Sequence, residues 1–217
     1  MVELERIYDQ RFPAREADHK NAIWQQLGAW LQRFVPRDAC VLDLACDRGD
    51  FIRNISAREK WASDFRDMRA ELPADVHFKQ ADGLELDQHL PRGRFDLIFI
   101  SNYLEHLPNS DAVIRQLQIC HGLLRTGGSV LILQPNIRFV GAAYWNFIDH
   151  HVALTEHSLF EAASIAGFQK ERLIARFLPY STKSSLPQHP QLVRAYLRFP
   201  PAWRVLGKQS LYHGTKV

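Results

Sequence analysis

Cysteine is scarce: the chain holds three, Cys40, Cys46 and Cys120. An odd set without metal-ligand spacing excludes a disulfide framework, and the three read as reduced thiols in a cytoplasmic protein. Long apolar runs are missing too. No stretch reaches the ~18 uncharged apolar residues of a membrane span. The start, Met1-Val2-Glu3-Leu4-Glu5-Arg6, lacks the basic-then-apolar order of a secretory signal. There is no internal repeat, no low-complexity linker and no basic-aromatic stripe or appended module for nucleic acid. What remains is a chain of 217 residues, 46% hydrophobic, with a net charge of only +3. That suits one domain, 1–217, with a full core. The charge is uneven. From Lys170 onward nine Lys/Arg stand against Glu171 alone. Such a tail favours an anionic substrate, a nucleic acid or a membrane surface, or is a solvated rim of spread-out charges.

Hydrophobic periodicity gives the organisation. Ile23, Trp24, Leu27, Trp30, Leu31 and Phe34 recur at helical spacing, which predicts a helix over about 15–34 that Pro36 ends. Strands are expected near 40–45, 60–64, 76–80, 95–101 and 129–134, with helices near 48–57, 65–71 and 110–124. Gly127-Gly128 reads as the turn into the fifth strand. The alternation argues a parallel sheet with helices on both faces. After Pro135 the pattern changes. Residues 137–157 are rich in aromatics and His and fit no period. A helix near 158–166 ends at Gly167, and strands follow at 168–178 and 209–216. Between those strands lies an insertion rich in proline, with one amphipathic helix near 190–199.

The run Cys40-Val41-Leu42-Asp43-Leu44-Ala45-Cys46-Asp47-Arg48-Gly49-Asp50-Phe51 is an apolar strand leading into a small-residue turn. This is where an α/β domain cradles a nucleotide-like cofactor. Asp64, ending the next strand, stands roughly 20 positions on, the spacing at which a carboxylate meets a ribose diol. Later come Phe95-Asp96-Leu97-Ile98-Phe99-Ile100-Ser101-Asn102-Tyr103-Leu104-Glu105-His106-Leu107-Pro108 and Leu124-Arg125-Thr126-Gly127-Gly128-Ser129-Val130-Leu131-Ile132-Leu133.

In this order the three segments resemble a class I S-adenosylmethionine-dependent methyltransferase over roughly residues 38–178. The resemblance implies a Rossmann-like, doubly wound α/β sheet of seven strands. The last strand runs antiparallel between the fifth and sixth. Residues 1–37 would form a helical lid, 38–135 the cofactor-binding core, and 136–217 an acceptor-side segment with the final strands. The family's Asp-x-Gly-x-Gly-x-Gly appears here as Asp43, Ala45, Asp47 and Gly49, with two glycines replaced. Ala45 fits if its φ stays negative. Asp47 must point away or bond a neighbour such as Arg48, or the ligand's ammonium. By position, Asp43, Ala45, Cys46, Asp47, Gly49 and Phe51 border S-adenosyl-L-methionine and Asp64 takes the ribose hydroxyls. Asp82 and Gly83 meet the adenine, and Ser101 and Asn102 lie beneath the methyl group.

Two further segments draw the chemistry. Asn102-Tyr103-Leu104-Glu105-His106 and Trp145-Asn146-Phe147-Ile148-Asp149-His150-His151 together resemble O-methyltransferases that use a divalent ion. These act in ubiquinone biosynthesis or on the 3′-terminal ribose of small RNAs. Their first segment reads Glu-x-x-Glu-His, and the RNA enzymes add a His from an Asp-His segment after a Pro-Asn, here Pro135-Asn136. The likeness implies Glu105, His106 and His150 as ligands of Mg²⁺, with Asn102 in place of the first Glu. Two alternatives stand beside it. In one, the site is metal-free, with His150 or His151 as general base and Asp149 orienting an imidazole. In the other, the histidines only shape the pocket. Tyr144, Trp145 and Phe147 are expected to line the acceptor pocket or to pack as core.

The segments Leu133-Gln134-Pro135-Asn136-Ile137-Arg138, Tyr144-Trp145…Asp149-His150-His151 and Phe177-Leu178-Pro179-Tyr180-Ser181-Thr182-Lys183-Ser184 resemble small bacterial methyltransferases encoded among glycan-assembly enzymes. That implies O-methylation of a sugar or glycan-precursor hydroxyl. A polyketide or phenolic acceptor, or a non-catalytic protein with a degenerate cofactor loop, stays open. The oligomeric state is not legible.

Overall fold

The computed structural model describes residues 17–180 and 189–217, with side chains omitted for 17–19. The expected start of the first helix at 15, and residues 181–184, lie outside the described residues.

The first helix, α1, spans Ala17–Leu31, and a single 3₁₀ turn continues it over Gln32–Phe34. Five parallel strands follow: β1 (Cys40–Leu44), β2 (Glu59–Asp64), β3 (Val76–Gln80), β4 (Phe95–Ser101) and β5 (Leu124–Pro135). One helical turn, α2 (Leu86–His89), precedes β4, and α3 (Ser110–Leu123) precedes β5. Another single turn, α4 (Ile137–Val140), leads into a 3₁₀ stretch at Gly141–Asn146. Then come α5 (Glu156–Ile165), β6 (Phe168–Leu178), α6 (Pro190–Arg198), α7 (Pro200–Leu206) and β7 (Gln209–Lys216). The seven strands form one sheet in the order β3-β2-β1-β4-β5-β7-β6. β7 pairs antiparallel with both β5 and β6. This is the doubly wound α/β sheet expected from sequence, last strand included. Among the described residues, no helix is long and apolar enough to cross a membrane.

The central strands are apolar on both faces because helices cover both. Alternation sends Leu42, Leu44, Ile98, Ile100, Val130 and Ile132 to one side, against Leu117, Cys120 and Leu123 of α3. Val41, Leu97, Phe99, Leu131 and Leu133 go to the other, against Leu27, Trp30 and Leu31 of α1.

Three local expectations give way. The helix expected at 48–57 is a single 3₁₀ turn, Ile52–Asn54. Arg58 and Glu59 donate their N–H groups to the Ala39 carbonyl to start β2, which ends the helical path before them. No helix forms at 65–71, because the Asp64 and Asp67 carboxylates capture the N–H groups of Arg66 and Arg69 in Asx turns. β5 begins at Leu124 rather than 129. Gly127, at φ +74°, sits inside it where the pairing slips between Phe95↔Leu124 and Leu97↔Ser129.

Candidate active site

Strand C-terminal ends carry the site, as in other open α/β sheets. After β1 the chain turns through Ala45, Asp47 and Gly49, all left-handed, at φ +53°, +48° and +70°. The negative φ expected of Ala45 is therefore not found. The backbone keeps the path that three glycines would take easily, although two positions carry side chains. A Cβ at Gly49 would lie 2.3 Å from the tip of Leu72, which would have to shift, but it is the left-handed φ that favours glycine there. This preserved path is the observation that fits the loop to a closely approaching cofactor.

The Asp47 side chain bonds neighbours, as expected, but they are Arg66 and Lys20 rather than the Arg48 side chain. Arg66 Nη2 donates to its Oδ1 at 2.9 Å, and Lys20 of α1 lies 3.5 Å from Oδ2. Burial works to raise its pKa, but Lys20 and Arg66 outweigh it and hold the carboxyl below the usual range. Arg66 also donates from Nε to Asp64 Oδ1 at 3.1 Å, while the Asp47 N–H donates to Asp64 Oδ2 at 3.0 Å. The carboxylate expected to meet the ribose is thus already engaged by a guanidinium. Sequence reasoning missed Arg66. The signal was there in Ser63-Asp64-Phe65-Arg66, a cation two positions after the strand-end acid.

The other cofactor candidates divide by depth. Asp43 is buried and accepts from the Ile52 N–H at 3.3 Å, and desolvation drives its pKa well up. Cys46 is buried, and Phe51 is a core side chain stacked on Phe99 at 3.9 Å between centroids. Asp82 is exposed and accepts from the Leu84 N–H at 2.9 Å. A Cβ at Gly83 would lie 2.3 Å from the Tyr103 hydroxyl, which itself donates to Gln116 Oε1 at 3.0 Å. Ser101 ends β4, and its hydroxyl accepts from Asn102 Nδ2 at 3.1 Å. Asn102 itself is exposed and left-handed at φ +48°.

Beyond Asn102 the chain dips into the molecule. Glu105 is 1% exposed, and its carbonyl accepts from the N–H groups of His151 and Val152 at 2.8 and 3.1 Å. These bonds pin the 149–152 stretch against β4's exit. His106 Nδ1–H donates to the Asp149 carbonyl at 2.9 Å and lies 3.3 Å from its carboxylate. One ligating atom from each of Glu105, His106 and His150 lies within 4.8 Å of the others. The His150 ring is buried between Tyr144, at 4.7 Å, and Phe147, stacked at 4.9 Å.

Electrostatics single out the same group. Desolvation raises the Glu105 pKa, although the His106 charge opposes it. Burial acts to lower His106, but Asp149 and Glu105 prevail and raise it. Glu105 Oε2 is buried and makes no hydrogen bond of good geometry among the described residues, although the Gln134 amide beside the carboxyl acts to lower its pKa. Asp149 is buried and orients an imidazole, that of His106. His151 is exposed, tied in by its backbone.

The family model described as a methyltransferase domain matches residues 17–173. The chain belongs to the methyltransferase domain family. Methyl transfer is the chemistry that this family membership assigns to it. Among curated proteins none matches this methyltransferase in sequence. Solved structures share its fold. One is a SAM-dependent methyltransferase from Archaeoglobus fulgidus, 16% identical, with a TM-score of 0.65 over 89% of this chain and 94% of that one. Another, from Mesorhizobium loti, is 17% identical, with a TM-score of 0.59 over 86% and 95%. The [4+2]-cyclase SpnF is 15% identical, with a TM-score of 0.61 over 88% and 80%. A cyclase on the same fold means that family membership, not shape, assigns methyl transfer to this domain.

Proposed function

We propose that this methyltransferase methylates a hydroxyl of a sugar or glycan precursor, with a divalent cation held by Glu105, His106 and His150. The observation that carries the reading is the convergence of those three side chains within 4.8 Å, including a buried Glu105 oxygen that makes no hydrogen bond of good geometry among the described residues. His106 Nδ1 donates to the Asp149 main-chain carbonyl with the Asp149 carboxylate 3.3 Å away, an arrangement that suits the orientation of a ligating imidazole. Two imidazoles and one carboxylate suit Mn²⁺ or Zn²⁺ better than the Mg²⁺ expected from sequence, which prefers oxygen ligands.

S-adenosylmethionine supplies an activated methyl group, so the protein's task is alignment and removal of the hydroxyl proton. A bound cation would lower that hydroxyl's pKa. The left-handed turn at Ala45, Asp47 and Gly49 admits the donor's backbone-facing part, and Asp64 offers carboxylate oxygens to its ribose once Arg66 yields. On the acceptor side, Phe147 packs on His150 and meets Tyr180 edge-on at 6.1 Å, and Trp145 is exposed beside them. Such ring faces suit the apolar side of a sugar. The lid role of α1 is supported by Lys20, which pairs with Asp50 at 2.7 Å and so ties α1 to the cofactor turn.

The test is methyl transfer from labelled S-adenosylmethionine to panels of nucleotide sugars and phenols, with and without EDTA, alongside metal analysis of the purified protein. Sugar methylation that EDTA abolishes and His150→Ala reduces by about 100-fold or more, with unchanged S-adenosylhomocysteine affinity, is expected. Turnover on phenols alone overturns the acceptor. Full activity in EDTA overturns the cation.

A further inference from the structure

Positive charge is segregated in this chain. Residues 172–217 carry eight Lys/Arg and no Asp or Glu, which leaves nineteen of the 27 basic residues against all 24 acidic ones in residues 1–171. Part of that excess surrounds a groove between α4 and α7. The groove has a volume of about 440 Å³, and Arg138, Arg176 and Arg204 line it with Phe139, Pro200 and Trp203. The Arg138 and Arg176 guanidiniums lie 5.4 and 4.7 Å from the Phe139 ring centroid. One carboxylate shares the groove: Glu156 Oε1 accepts from Arg138 Nη1 at 2.5 Å. Arg176 is fixed by donating to the carbonyls of Gly207 and Val205 at 2.9 and 2.7 Å. The groove therefore keeps an excess of cationic groups.

The elements beside it expose large apolar side chains. Leu192 is 52%, Phe199 60% and Val205 72% exposed, whereas Leu197 and Trp203 of the same helices are buried. Arg194, Arg198 and Lys208 stand exposed among them. Open apolar side chains beside an excess of positive charge call for a partner that is both anionic and apolar. An anionic bilayer meets both features at once. Lipid phosphates face the guanidiniums, and the apolar side chains enter the headgroup–acyl boundary.

We propose that the α6–α7 face docks on an anionic phospholipid membrane, with a lipid phosphate seated in the Arg138–Arg176–Arg204 groove. The inference goes beyond the acceptor reading and does not rest on it. It does place the acceptor side near a bilayer, since α4 runs directly into the stretch that bears Trp145 and His150.

The test is co-sedimentation of the full chain with vesicles of phosphatidylcholine alone and of phosphatidylcholine with phosphatidylglycerol. Binding to the anionic vesicles only, weakened by salt, is expected. Arg204→Ala should reduce it about fivefold, roughly the worth of one basic residue near a charged leaflet. Val205→Asp should reduce it further. Both side chains are exposed, so unchanged thermal melts should accompany the loss. Absence of binding to anionic vesicles, equal binding to neutral ones, or binding that both variants leave intact overturns the proposal. So does equally tight binding to a polyanion such as heparin together with none to vesicles. Competition by inorganic phosphate without vesicle binding would assign the groove to a free phosphate ester instead.

Discussion

Ala45 sits at φ +53° because the cofactor turn demands that path, not because alanine favours it. A left-handed alanine costs about 1 kcal/mol relative to glycine, since its Cβ crowds the carbonyl oxygen. Ala45→Gly should therefore raise stability by about 1 kcal/mol, or about 3 °C in Tm for a domain of this size. Differential scanning calorimetry decides it. A lower Tm would mean that the Cβ makes contacts worth more than the strain. Asp47 pays the same conformational cost but is held by Lys20 and Arg66, so it is not simply a damaged glycine position. The sequence pattern exposed both substitutions. It could not show that Arg66, nineteen positions on, would answer the carboxylate.

Element order was legible because strand hydrophobicity and helical period are local signals. Six of the seven strands fall where the pattern puts them, β5 starts five residues early, and α3 and α5 lie close to their expected spans. The failures lie where side chains compete for backbone groups, as Asp64 and Asp67 do after β2. The Glu105–His106–His150 cluster was reachable only through resemblance. His150 is far from the adjacent Glu105 and His106 in sequence and meets them because the Glu105 carbonyl receives two N–H groups from the 149–152 stretch. A second junction was not legible at all. Asn136, after β5, donates to Glu156 at the start of α5 at 2.7 Å and to the Ala175 carbonyl of β6 at 3.2 Å. Burial acts to raise the Glu156 pKa, but Asn136, the backbone and Arg138 outweigh it and hold the carboxyl low. A lowered folded pKa contributes stability that is complete above the unfolded value, ~4.3, and is lost as pH falls through the folded one. Glu156→Gln should thus destabilise the protein at neutral pH and flatten the fall in stability below about pH 4.3. Urea titrations across pH 3 to 7, a window set by ordinary carboxyl values of roughly 4, read this out. Parallel acid limbs for the two proteins would remove Glu156 from the account.

At the scale of the molecule, α1 is joined to β6 and α7 through one indole. Trp30 of α1 packs 4.6 Å from Phe177 of β6 and 5.7 Å from Trp203 of α7, with Arg33 over its ring at 4.1 Å. Trp203 in turn meets Phe177 edge-on at 5.1 Å. Helix α1 also carries Lys20 to the cofactor turn, and α7 forms one wall of the basic groove. The same packing therefore sets the position of the cofactor-side helix and of the basic-apolar face. Truncating a buried Trp typically costs about 4 kcal/mol. Trp30→Ala should lose about that much, and a second truncation at Trp203 should cost less than its value alone, because the two rings share contacts. A double-mutant cycle in denaturant measures the coupling. Additive losses would mean that α1 and α7 are held independently. A coupling of about 1 kcal/mol or more would make them one unit, so that a load placed on the basic face is felt at the cofactor turn.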